Sequence, residues 1–132
     1  NRLPHAYPTG APFRNFFIRV ATYDQDGKQL WKNYKLHPIK DDPKAAFWLT
    51  LGDKDGKPTI PPKATQILAD SRPEPNEVRT LEYEIPVESA TKIVRAEALY
   101  DLLLPPIKAK MKGKLPDDLL KPQLAASAEV RL

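Results

Sequence analysis

Residues 3–20 read LPHAYPTGAPFRNFFIRV, and the fold turns on how that stretch divides. Its first part, residues 3–12, places Pro4, Pro8 and Pro12 at every fourth position, with Pro8-Thr9-Gly10 as a turn signal. Proline lacks the backbone donor that helices and strands need, so this part reads as a stiff loop. The second part switches to a period of two. From residue 13 to residue 23, Phe16, Ile18, Val20 and Thr22 share one face, and Phe13, Asn15, Phe17, Arg19 and Ala21 share the other. That alternation predicts a strand, and the uncharged first set predicts the face turned to the core. A loop holding the lone histidine His5 therefore feeds a long apolar strand.

The rest of the sequence is consistent with covering that strand. A chain of 132 residues suits one domain with one core, and 41% hydrophobic residues exclude wholesale disorder. Fifteen prolines against five glycines argue for short strands and stiff loops rather than long helices. No apolar run approaches the roughly 20 residues of a membrane-spanning helix. The net charge of +4 lacks the clustered basic footprint of a nucleic-acid binder. Cysteine is absent, which removes disulfides, thiolate metal sites, cysteine nucleophiles and the CxxCH needed to attach haem covalently. The sequence opens on Asn1 with no signal-peptide pattern, and the expectation is a portion of a longer product.

Working outward, Asp24-Gln25-Asp26-Gly27-Lys28 is a hairpin signal, with a return strand over 29–34. Residues 35–44, broken by Pro38 and Pro43, read as a surface connection carrying His37. Residues 45–51 (AAFWLTL) and 63–70 read as strands around the loop GDKDGKPTIPP. Residues 77–87 (EVRTLEYEIPV) alternate, with Arg79, Leu81, Tyr83 and Ile85 predicted inward. Residues 92–103 fit a strand with Val94, Ala96, Ala98 and Tyr100 inward, although their helical propensity competes. Lys108, Lys110, Lys112 and Lys114 would project from one face if extended, blocking edge pairing or docking an acidic partner. A short helix is expected around Pro116, and residues 124–132 close the domain as a strand. The expected fold is all-β: an immunoglobulin-like antiparallel β-sandwich of about seven strands, residues 1–132 forming a single domain, with a short helix or irregular segment near the C-terminus.

No complete catalytic constellation is present, so an enzyme is not expected. Ser71, Ser89 and Ser127 lack a glycine elbow and a nearby histidine. Asp24-x-Asp26-Gly27 and Asp53-x-Asp55-Gly56 look like calcium loops, but Asn33 and Pro62 stand where an EF-hand needs its bidentate glutamate. Turn formation explains both. His5 and His37 are too far apart for a recognised zinc spacing. His5 is either a surface histidine or an iron or metal ligand held in a loop that loses little entropy on binding. His37 reads as structural or solvent-exposed.

Two separated blocks carry a resemblance. HAYPTGAPFRNFFIRV (5–20) and ILADSRPEPNEVRTLEYEIP (67–86) resemble the His-x-x-Pro-Thr-Gly and later Asp-x-Arg segments in the C-terminal β-domain of exported multihaem c-type cytochromes. Pro4 stands where that pattern carries glycine, and Tyr7 and Pro73 replace other apolar residues. In such proteins the domain packs on haems held by an upstream segment. The resemblance implies that His5 is a distal axial ligand to a haem iron and that Arg14 partners a haem propionate. It further implies that Tyr7 and Thr9 lie at the cofactor. The haem would be attached outside this chain segment, and the partner would be a haem-bearing cytochrome segment or chain, with a redox protein as a further partner. Neither nucleic acid nor a membrane span is expected. The setting would be periplasmic or extracellular, and the role that of a haem-free accessory domain for electron transfer. Two alternatives stay open: a secreted β-sandwich that binds protein or carbohydrate, and a non-ligating subunit of an extracellular cytochrome assembly.

Overall fold

The computed structural model describes all of residues 1–132. Its organising strand is β1 (Asn15–Tyr23), where the apolar alternation is densest. One edge of β1 pairs along its whole length with β5 (Ile93–Asp101). The other edge is shared: β2 (Gln29–Lys32) takes the end at Ala21–Tyr23, and β3 (Ala46–Gly52) takes the start at Asn15–Phe17. The second half of β3 pairs with β4 (Gln66–Asp70), and β5 pairs with β6 (Gln123–Arg131). Every ladder is antiparallel, and the main path runs β4-β3-β1-β5-β6.

The all-β class, the antiparallel pairing and the short helical pieces agree with the sequence reading. Both Asp-x-Asp-Gly loops are turns. Asp24 Oδ1 accepts from the backbone N–H groups of Asp26 (3.0 Å) and Lys28 (2.8 Å), and Asp53 does the same for Asp55 and Lys57 (both 2.9 Å). Gly27 supplies the positive φ of +80° that closes the first turn. Their carboxylates are committed to the backbone, which is why the sequence looked like a calcium site without its other ligands.

Four expectations are corrected. There are six strands rather than about seven, because residues 77–87 make no ladder. Their alternation holds from Leu81 on: Leu81, Tyr83 and Ile85 are half-buried while Val78, Thr80, Glu82 and Glu84 are exposed, but Arg79, also expected inward, is exposed. Side chains hold that segment in place of a ladder. Tyr83 donates its hydroxyl to Asp42 at 2.7 Å, and Lys44 donates to the Glu82 carbonyl at 2.7 Å while lying over the Tyr83 ring. Desolvated by burial, and beside Asp42, the Tyr83 hydroxyl holds its proton well above the ordinary tyrosine range.

The connection at 35–44 is not a plain surface loop. It folds into α1 (Pro38–Asp41) and a 3-10 turn (Pro43–Ala45), which carry His37 and Pro38 inward. The lysine run is not extended either. Pro105-Pro106 opens a helix, α2 (Pro105–Met111), so Lys108 and Lys110 leave it in different directions. A 3-10 turn follows at Asp117–Leu120, matching the short helix expected there.

The fourth correction concerns the core itself. The packed cluster is Phe17, Ala46 and Leu99, joined by Tyr34, Ile39 and Trp48. That is the Phe17 face of β1 and the Leu99 face of β5, opposite to the faces expected from the pattern. Face parity by hydrophobicity misled because the covered face carries its own paired charges. Arg19 and the buried Glu97 sit opposite one another in the β1–β5 ladder and form an ion pair at 2.6 Å. On the other face Val20 and Thr22 are buried at one end of β1, but Ile18, Val94 and Ala98 are half-exposed, and Ala96, Ala126, Ala128 and Val130 are exposed. Only 15 of 132 residues are buried, so the core is small for the chain length.

Candidate functional site

The His5 loop is built by the meeting of the two separated blocks, residues 5–20 and 67–86. The Asn1 side chain donates to the His5 carbonyl (2.8 Å) and to the Pro73 carbonyl (3.0 Å). The Tyr7 backbone N–H donates to the Pro73 carbonyl at 3.2 Å, and Arg72 reaches the Pro8 carbonyl at 3.4 Å. Arg72 is itself held by a two-pronged pair to Asp70, at 2.8 and 2.7 Å. Arg79 braces the same turn by donating to the carbonyls of Ser71 and Arg72. The Arg72 guanidinium holds the Asp70 carboxyl below its ordinary range, and Arg79 does the same for Glu77.

This bracing leaves His5 exposed at the tip. Its Nδ1 lies 3.3 Å from the Ala6 carbonyl oxygen. A carbonyl only accepts, so in this contact Nδ1 is the donor and Nε2 is the nitrogen left available to a metal. An imidazole with one nitrogen tied to a carbonyl and the other free has the tautomer that a metal ligand needs. The side chain fits an iron ligand on chemistry and access. Thr9 is exposed beside it, and Pro8 is buried beneath.

Gly10 explains the loop's second constraint. Its φ is +91°, and a Cβ there would lie 2.5 Å from Arg14 Nη1. The backbone therefore lies directly on the half-buried Arg14 side chain, which makes no ion pair with any carboxylate of the domain. Arg14 is a fixed, uncommitted cation next to His5's loop. Tyr7 packs edge-on against Phe16, 5.0 Å between ring centres, and burial pushes its hydroxyl pKa up, with Tyr100 adding to the shift. Phe16 and its ladder partner Tyr100 belong to the open apolar face of the sheet. The His5 loop is thus continuous with the row formed by Ile18, Ala96, Ala98, Ala126 and Ala128.

A second polar cluster, on the opposite face, was not legible in the sequence. His37 caps α1 by accepting the Ile39 N–H at Nδ1 (3.2 Å), and its ring stands edge-on to Phe17 at 4.9 Å. Asp101 is fully buried and paired to Lys108 of α2 at 2.5 Å. His37 Nε2 lies 3.8 Å from Asp101 Oδ2, and Asn15 sits opposite Asp101 in the β1–β5 ladder. Asn15 Oδ1, Asp101 Oδ1 and His37 Nε2 are all buried without a hydrogen-bond partner. The only sequence signal was an aspartate interrupting the otherwise apolar run ALYDLLLPP, at a position of inward parity once the faces are assigned correctly. His37 thus caps a helix and packs on Phe17, neither exposed nor remote from other polar groups. The chain has no cluster of three His, Cys, Asp or Glu side chains able to hold a metal ion by itself.

No family model matches the chain, and no curated protein matches it. A solved structure does: the penta-heme cytochrome c552 from Thermochromatium tepidum, at 45% identity and a TM-score of 0.87, over 100% of this chain and 34% of that one. The chain thus spans about a third of that relative's length, and at this identity it is related to a stretch of a multihaem cytochrome chain. Residues 1–132 contain no cysteine and hence no CxxCH. Any haem attached in the manner of a c-type cytochrome is held outside them. No helix is long and apolar enough to cross a membrane.

Proposed function

We propose that this chain is the haem-free accessory domain of a multihaem cytochrome, lying against haems carried by another segment or chain and supplying His5 as a distal axial ligand. The observation that carries this reading is the full-length match, at 45% identity, to part of a penta-heme cytochrome. The geometry adds support. His5 presents a free Nε2 from a braced loop, Arg14 offers an unpaired guanidinium for a propionate, and the adjoining sheet face is apolar and uncovered. Iron held between two histidines is low-spin and exchanges electrons with little rearrangement.

The domain's own part is positional. The Asp70–Arg72 pair and Asn1 fix the loop so that the imidazole need not be ordered on binding, and the Ala6 carbonyl sets its tautomer. Tyr7 and Phe16 turn an apolar wall toward the same side, which would keep water away from the ligated edge. The domain carries out no catalysis, acts in the periplasm or outside the cell, and offers its outer surface to a redox protein.

The test is to coexpress the chain with a haem-bearing polypeptide that binds it and to record visible absorption and electron paramagnetic resonance. His5→Ala converts one low-spin centre to high-spin, and His37→Gln leaves the count unchanged. An unaltered low-spin spectrum in His5→Ala rules out ligation. Absence of any haem-bearing chain able to bind the domain rules out the accessory role.

A further inference from the structure

On the Phe17 face, away from the His5 loop, α2 and the C-terminal 3-10 turn stand off the sheet and leave a cavity of about 580 Å³. Its walls include Phe17, Tyr34, Leu36, Pro105 and Leu120. This volume falls within the range of sites for small organic ligands, and the predominantly apolar lining matches their usual make-up. Leu36 forms its lip with 76% of its surface exposed. A second cavity, about 350 Å³, adjoins it across Leu36, His37 and Pro105, so the apolar space continues toward Trp48.

The charges around the first cavity are unbalanced. Lys108, Lys112 and Lys121 line it against Asp117. Lys108 is committed to the buried Asp101, while Lys112, Lys121 and Asp117 make no ion pair. Two free ammonium groups and one carboxylate therefore leave a positive rim on an apolar hole. Two features keep the hole open. The Asp101–Lys108 pair pins the helix from inside, and His37 caps α1 while packing on Phe17.

We propose that this cavity binds a small carboxylate with an apolar body, its chain lying on Phe17, Tyr34 and Leu36 and its head group at Lys112 and Lys121. Nothing in the His5 reading requires this site, which lies on the other face of the sheet. Neutral apolar molecules would gain the walls but not the rim. Exposed lysine–carboxylate pairs are individually weak, so two of them together favour the anion by about two- to thirtyfold.

The experiment is an amide NMR titration of the 132-residue chain with octanoate and, separately, octan-1-ol. Octanoate is expected to bind three- to tenfold more tightly, shifting the amides of Leu36, His37, Lys112 and Lys121. In Lys112→Ala/Lys121→Ala, both at exposed positions, that preference falls to within twofold while the amide spectrum elsewhere stays that of the folded chain. Equal binding of acid and alcohol overturns the proposal. So do shifts confined to Ala96, Ala98, Ala126 and Ala128, which would mark non-specific adsorption to the open sheet face, or a double variant that keeps the full preference.

Discussion

Replacing Lys108 with methionine should be among the most damaging surface-accessible changes in this domain. The Asp101 carboxylate is 0% exposed, and its Oδ1 has no partner. Its neighbour across the ladder, Asn15, presents another unpaired acceptor oxygen rather than a donor. His37 Nε2, at 3.8 Å, is too distant for a hydrogen bond. Lys108 is thus the one strong donor to a charge that cannot reach water. Removing one partner of such a pair costs about 3–5 kcal/mol, because the remaining charge stays buried and unpaired. Lys108 keeps 23% of its side-chain surface in solvent, which places the expected cost near the lower end, about 3 kcal/mol. A domain of this size holds about 5–15 kcal/mol in total, and the small core argues for the low part of that range. Urea unfolding followed by tryptophan fluorescence at pH 7 would measure the loss. The control is Asp101→Asn/Lys108→Met, where no buried charge remains. The double variant should recover at least about 1.5 kcal/mol relative to the sum of the single changes. A Lys108→Met loss below about 1 kcal/mol, or strictly additive effects, would refute the claim that this pair holds α2 to the sheet.

Other outcomes follow from the same geometry. Phe17→Ala should cost about 3–5 kcal/mol by denaturation and Ile18→Ala less than half of that, since only the first lies in the packed cluster; the reverse order would restore the face assignment suggested by hydrophobicity alone. Gly10→Ala should lose about 1–2 kcal/mol and displace Arg14, because φ is +91° and the new Cβ meets Arg14 Nη1, whereas Gly27→Ala meets only the strain of its φ and should cost about 1 kcal/mol. The Asp70 carboxyl titrates below its unfolded value because of Arg72, so its contribution is present above about pH 4 and fades as the pH falls through the folded value. Denaturation of the native chain and of Asp70→Asn should accordingly differ at pH 7 and converge in acid; a constant difference would contradict the assignment. Ala126→Lys/Ala128→Glu should change stability by less than about 0.5 kcal/mol, both sites being exposed, yet abolish association with a haem-bearing partner in a pull-down.

The candidate ligand was legible in the sequence because the loop's chemistry is local. Prolines at every fourth position, a turn glycine and one histidine define a stiff tip without reference to the rest of the chain. The Asp70–Arg79 block was legible as a second segment, but its role as the brace of that tip was not. The hydrogen bonds from Arg72 to Pro8 and from Tyr7 to Pro73 join residues more than 60 positions apart, and no local pattern encodes them. His37 shows the same limit more sharply. A histidine in a polar, proline-broken run looks exposed, yet the turn of α1 rotates it onto Phe17.

By itself, the sequence determined the class of structure: antiparallel strands where apolar residues alternate, turns where Asp-Gly pairs occur, no cysteine to attach haem, and a histidine offered on a rigid loop. Alternation has a period of two, and it identifies two faces for each strand without saying which one the chain itself covers. Only the tertiary structure decided that. It buried the face bearing Arg19, Glu97 and Asp101, because those charges find partners across the ladder and on α2. It left the uncharged row at Ile18, Ala96 and Ala126 in the open. A charge is tolerated inside when its counter-charge arrives with it, and an apolar face stays outside when nothing in the same chain reaches over it.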